Sequence, residues 1–139
     1  MYDGAMGTQT RAAYKQNAFQ TASPGELTLM LYNGCLKFIR LSASAMDKKD
    51  YETKNLNITK AQKIIRELMV TLRVENETTQ QMLQLYDFAH DALVRANINN
   101  DANALDEADA IITEFRETWK EAIKIDRQQR YALGINNHE

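Results

Sequence analysis

Set out at about 100° per residue, the chain falls into four long stretches in which apolar positions recur three and four apart, separated by short polar clusters. The first begins in TASPGELTLMLYNGCLKFI, from Thr21 to Ile39. Ser23, Pro24 and Glu26 have the spacing of a capped helix start, with Ser23 as N-cap, Pro24 at the first helical position and Glu26 reaching back. That helix is expected to run to about Asp47, where Asp47, Lys48, Lys49 and Asp50 interrupt it. A second stretch, Tyr51 to Leu72, carries Tyr51, Ile58, Ala61, Ile65, Leu68, Met69 and Leu72 on one face. Glu75 to Thr79 reads as a connection, and a third stretch to Asn97 carries Met82, Leu85, Tyr86, Ala89, Leu93 and Ala96. Asn97, Asn99, Asn100 and Asp101 make the next turn, with Asp101 as N-cap. The last stretch, to about Arg127, places Leu105, Ala108, Ile112, Phe115, Trp119, Ala122 and Ile123 on one side. Four helices of similar length with short connections predict an all-α fold, an antiparallel up-down-up-down four-helix bundle over 23–127. A flexible leader and short mobile N-terminal flap over 1–22 and a flexible tail over 128–139 flank it.

The first helix is apolar on two sides. One face carries Leu27, Met30, Leu31, Phe38, Leu41 and Ala45, with Gly34 among them allowing close backbone approach; the other carries Leu29, Tyr32, Leu36, Ile39, Ala43 and Met46. Only Asn33, Lys37, Arg40, Ser44 and Asp47 form a polar strip. An outer helix of a small bundle needs one apolar stripe, so the second needs a cover of its own. Leaving Leu29, Tyr32, Leu36, Ile39 and Met46 in water would forgo about 1.5 to 3 kcal/mol per large side chain. Internal packing, the N-terminal segment, a second copy of the chain or a partner's amphipathic helix could each supply that cover. Upstream, Ala12, Ala13, Tyr14, Ala18 and Phe19 are too few for a stable helix. They form either a frayed leader or a flap whose Tyr14 and Phe19 pack on the main body.

Composition narrows the chemistry. At 139 residues the chain fits one domain. One proline and five glycines leave long stretches free to be helical, and a net charge of -2 gives no footprint for nucleic acid. No segment approaches the roughly 18 apolar residues of a membrane span, so direct membrane insertion is not expected and a soluble, intracellular protein is. The lone Cys35 reads as a small buried hydrophobe. A di-metal bundle would need two Glu-x-x-His motifs; Asp87 and His90 alone approach that spacing, and both read as surface or boundary side chains. No nucleophile with a histidine partner and no glycine-rich phosphate loop is present. Neither cofactor nor enzyme activity is expected.

Taken together, Ala13-Tyr14, the segment TASPGELTLMLYNGCLKFI, the run LYDFAHDALVRANINND from Leu85 to Asp101, and Phe115 to Ala122 closing on WKEA resemble the flagellin-specific export chaperone family, FliS. The likeness extends from Ala12 to Ile123. It implies a non-catalytic cytosolic chaperone that binds the C-terminal segment of flagellin, prevents premature polymerisation and delivers the subunit to the cytoplasmic domain of the flagellar export-gate protein. Other flagellar regulators are a further partner class it leaves open. With that resemblance, Leu29, Tyr32, Leu36, Ile39 and Met46 become the expected flagellin-binding groove, and Tyr14 the expected flap and export-gate docking residue. The competing expectation is a helical adaptor, or a homodimerisation module, whose second face meets an unrelated amphipathic helix.

Overall fold

The computed structural model describes residues 23–134; the expected flap with Tyr14 and the last five positions lie outside them. Within that span the chain forms α1 (Pro24–Asp47), α2 (Tyr51–Thr71), α3 (Glu77–Asn99) and α4 (Ala102–Ala132). Each helix packs on two neighbours, α1 and α3 both lying against α2 and α4, which makes a four-cornered bundle. Neighbours run antiparallel. Cys35 meets the Ala61 carbonyl while Ser42 meets that of Lys54. Across the other side of α1, Trp119 reaches Gly25 and Asp109 pairs with Arg40.

The helix starts follow from local chemistry. Ser23 Oγ accepts from the Glu26 N–H at 3.2 Å, and a Glu26 carboxylate oxygen accepts from the Ser23 N–H at 3.1 Å. Asp50 and Asp101 cap α2 and α4 through their carboxylates. The third helix starts earlier than its sequence pattern predicts, at Glu77 rather than beyond Thr79. Asn76 and Thr79 make a reciprocal capping box, with threonine in the place usually held by Glu or Gln. It also continues through Asn97 and stops at Asn100, whose φ of 52° is a left-handed conformation that asparagine tolerates. The last helix extends through residues 128–132, which the pattern assigns to the tail. Gln128, Gln129 and Arg130 are good helix formers, and Arg130 pairs with Asp126 at 3.1 Å. Gly134, with φ of 72°, follows its end.

The core joins Tyr32, Cys35, Leu36 and Ile39 of α1 with Ile58, Ala61 and Ile65 of α2. Tyr86, Ala89 and Leu93 of α3, and Leu105, Ala108 and Ile112 of α4, complete it. A charge sits at its edge. Lys54 is 2% exposed, and its ammonium donates to the Asn97 backbone carbonyl at 2.9 Å and to Asn97 Oδ1 at 3.2 Å. It thereby caps the last turn of α3, where unpaired carbonyls and the helix dipole favour a cation. Burial draws its pKa below the ordinary lysine value.

Gly34 stands where α1 and α2 meet. A Cβ there would touch only Ile64 Cδ1, at an ordinary 3.5 Å, so the bundle has room for alanine. A mid-helix glycine costs about 1 kcal/mol relative to alanine, and packing within one bundle does not account for it. Among the described residues, no helix is long and apolar enough to cross a membrane.

Candidate functional site

The stripe expected to form a groove on α1 is core. Tyr32 is 0% exposed, and Leu36 and Ile39 1% each. Leu29 is half-buried in a shallow depression beside Ile123 and Arg127 of α4, and Met46 is half-buried against the core at the other end. These five positions do not make an open surface. The stripe of Leu27, Met30, Leu31, Phe38 and Leu41 stays partly in solvent instead. The physical reason lies between the stripes, in the small residues Cys35 and Ser42. Both are fully buried and meet backbone carbonyls of α2, so the inward arc of α1 runs from Phe38 through them to Tyr32 and Leu36.

An open apolar groove lies elsewhere, between α3 and α4. Its volume is about 340 Å³, and Met82 and Leu85 of α3 line it with Ala110, Ile111, Phe115 and Trp119 of α4. Thr78, Glu114 and Thr118 supply its polar rim. Side-chain size explains its position. Near the turn at Asn100 the α3–α4 pair meets through Ala92, Ala96, Ala104 and Ala108, all buried, which lets the helices approach. Towards the start of α3 the contact becomes the large Tyr86–Phe115 pair, while Trp119 turns towards α1.

The floor of the groove is an aromatic cluster. Phe115 stacks on Tyr32 with centroids 5.8 Å apart and leans on Tyr86 at 4.8 Å, while Trp119 meets Tyr32 edge-on at 6.1 Å. The Tyr32 and Tyr86 hydroxyls share a buried 2.6 Å hydrogen bond. Burial first, then that bond, pushes the Tyr32 pKa up, and burial likewise raises that of Tyr86. Neither ionises near neutrality. Trp119 Nε1 donates to the Gly25 carbonyl at 3.0 Å, fastening α4 to the first turn of α1. With their polar atoms engaged, these rings offer a fixed apolar wall.

Apolar side chains stay exposed on both helices beyond the groove. Phe88, three residues beyond Leu85 on α3, is 52% exposed, and Leu85 itself 43%. On α4, Ile111, Phe115, Thr118, Ala122 and Ile125 follow one another at spacings of four and three, a single helical stripe. Beyond Thr118 that stripe passes the start of α3, and Ile125 is left 44% exposed. At about 1.5 Å per residue, Ile111 to Ile125 spans roughly 21 Å, the length of a four-turn helix. Reading the sequence alone assigns Met82, Leu85, Phe115 and Trp119 to the core faces and passes over Ile111 and Phe88. The available signal was the stripe through Ile111 and Ile125, displaced to one side of the core stripe on α4.

Reactive chemistry is absent from this surface. Burial, with a smaller effect from Asp109, pushes the Cys35 thiol up to about 12, so it stays protonated as a core side chain. His90 is half-buried and receives Arg66 Nη1 at 3.2 Å, and Asp87 is exposed. Among the described residues no group of three His, Cys, Asp or Glu side chains could hold a metal ion.

The chain is similar to known proteins in sequence and in fold. A family model described as flagellar protein FliS matches residues 6–126. The chain is 52% identical over 122 residues to the flagellar secretion chaperone FliS of Bacillus subtilis (strain 168), covering 88% of this chain and 92% of that protein. The flagellar secretion chaperone FliS of Escherichia coli (strain K12) is 32% identical, with 86% and 90% covered. A solved structure titled as a flagellar chaperone from bacteria shares the fold with a TM-score of 0.69 at 17% identity, over 84% of this chain and 97% of that one.

Proposed function

The chain belongs to the FliS family, whose members are flagellar secretion chaperones and not enzymes, and on that footing we propose that it works in the cytosol on flagellin, holding the C-terminal segment of the subunit until export. The seat assigned to that segment is the α3–α4 groove. One observation carries this reading: Leu85 lines an apolar trough and stays 43% exposed, with Phe88 and Ile125 also exposed on the same two helices, on a bundle that already has a buried core. The stripe from Ile111 to Ile125 has the periodicity of a helix-in-groove interface, so the guest expected there is an amphipathic helix.

Burial of the guest's apolar side chains drives capture, at about 25 cal/mol per Å² of apolar surface. Ordering a flexible segment takes back a share of that, so a long contact gives moderate affinity and release stays feasible. While held, the segment cannot pack against other subunits, and polymerisation waits until after export. Handing the subunit to the cytoplasmic domain of the export-gate protein completes the proposal. Tyr14 is the docking residue proposed for that step; it lies outside the described residues and rests on the family resemblance.

Calorimetric titration with a peptide of the flagellin C-terminus tests the seat. Leu85→Glu should weaken binding by about tenfold or more in a protein that keeps its helical circular dichroism. Unchanged affinity in that folded variant would move the guest elsewhere. Tyr14→Ala should leave peptide affinity intact and weaken the loaded complex's binding to the gate domain.

A further inference from the structure

Beside the apolar stripe of Ile111, Thr118 and Ile125, the outer edge of α4 carries a carboxylate at the same spacing, at Glu107, Glu114 and Glu121. Successive members stand two helical turns apart, about 10 Å along the axis. The first is met from α3. Arg95 Nη2 donates to Glu107 at 2.9 Å, at the end where buried alanines bring the two helices together. The other two are exposed where the pair opens, Glu114 lining the groove itself. Neither has an ion-pair partner among the described residues.

The bundle has no base to spare for them. Arg95 is the one basic residue of α3, whose other charges, Glu77, Asp87 and Asp91, are acidic. On α4, Arg116, Arg127 and Arg130 are paired with Glu117, Glu26 and Asp126. Lys120 and Lys124 line the depression shared with α1. A guest helix lying in the trough takes, against this half of α4, the place that α3 holds against the other half. What Arg95 does for Glu107, a guest side chain can do for Glu114 and Glu121.

We propose that these two carboxylates select the guest by charge, so that the groove takes an amphipathic helix carrying Lys or Arg at two positions seven apart, on the flank beside its apolar stripe. The inference rests on the α3–α4 groove being the seat. An apolar trough by itself accepts many helices; negative charge at its rim penalises acidic ones and sets basic ones in one register. Exposed ion pairs add little to affinity one at a time, so the effect is chiefly on which helix binds.

Titration of the full chain with the flagellin C-terminal peptide, at low and at high salt, tests this. Wild-type affinity should fall as salt rises. Glu114→Lys with Glu121→Lys should bind about tenfold more weakly at low salt, with the salt dependence lost or reversed, and Glu114→Gln with Glu121→Gln about threefold more weakly. A copy of the peptide with its Lys and Arg replaced by Glu should prefer the doubly reversed variant to the wild type. The same reversal at Asp87 and Asp91, which do not line the groove, controls for net charge and should change affinity less. An equal loss there overturns the proposal, as does a reversed peptide with no changed preference. Leu85→Glu separates the two claims. If it weakens binding while reversal at Glu114 and Glu121 changes nothing, charge selection falls and the seat stands; if it leaves affinity intact, both fall.

Discussion

The two opposite seams of the bundle, α1 against α2 and α3 against α4, end in different shapes. In the first, Gly34, Cys35, Ser42, Ala45 and Ala61 are small enough for the helices to close along their length, leaving Leu27 and Leu41 partly bare on a flat outer edge. In the second, alanines are buried at one end while Tyr86 and Phe115 meet at the other, where the trough opens. The contrast teaches that the distribution of side-chain size along a seam decides whether spare hydrophobic surface becomes a plane or a cleft. A cleft suits an inserted segment.

Charge placed on the inward arc of α1 should break this comparison most severely. Leu36→Asp would bury an unpaired carboxylate and is expected to cost about 4 kcal/mol or more, read as lost helicity and a collapsed urea midpoint. If that variant stays folded, the division between core and open faces is wrong. Next in size is the pair Leu85→Glu and Leu41→Glu, one on each seam with almost equal exposure. Only the first should reduce flagellin-peptide affinity, by about tenfold, with little change in either melting temperature. Equal losses would show that the guest spans both seams.

A smaller effect is expected at Ser23, whose replacement by alanine removes the cap of α1 at about 1 kcal/mol. Hydrogen exchange should place the loosening in the first turn, near the Trp119–Gly25 bond. The smallest is a pH effect at the same cap. The Ser23 backbone N–H, ahead of its side chain and Arg127, holds the Glu26 carboxyl below its usual 4.5. Because the folded pKa is depressed, this contribution is present above that value and fades as pH falls through the folded one. The gap in melting temperature between the wild type and Glu26→Gln should therefore close in acid.

Much of this architecture was legible in the sequence. Ser23-Pro24-Gly25-Glu26 fixed the start of α1 to the residue because the cap is a local hydrogen-bond motif, and Asp101 did the same for α4. The orientation of α1 was not legible, since a helical wheel separates two apolar stripes without saying which neighbours each will meet. Cys35 and Ser42, small residues lying between the stripes, mark the axis only once the packing is known. The cleft escaped for a related reason. It arises from where Phe115 and Trp119 meet Tyr32 and Tyr86, a relation between helices that no periodicity within one of them records.

Trp119 is the single tryptophan in the chain, half-buried in the wall of the trough with its indole N–H bound to Gly25. The molecule thus carries its own optical reporter. Emission from that indole responds to whatever dries or crowds the trough. Fluorescence from unlabelled protein can therefore report the arrival of a guest.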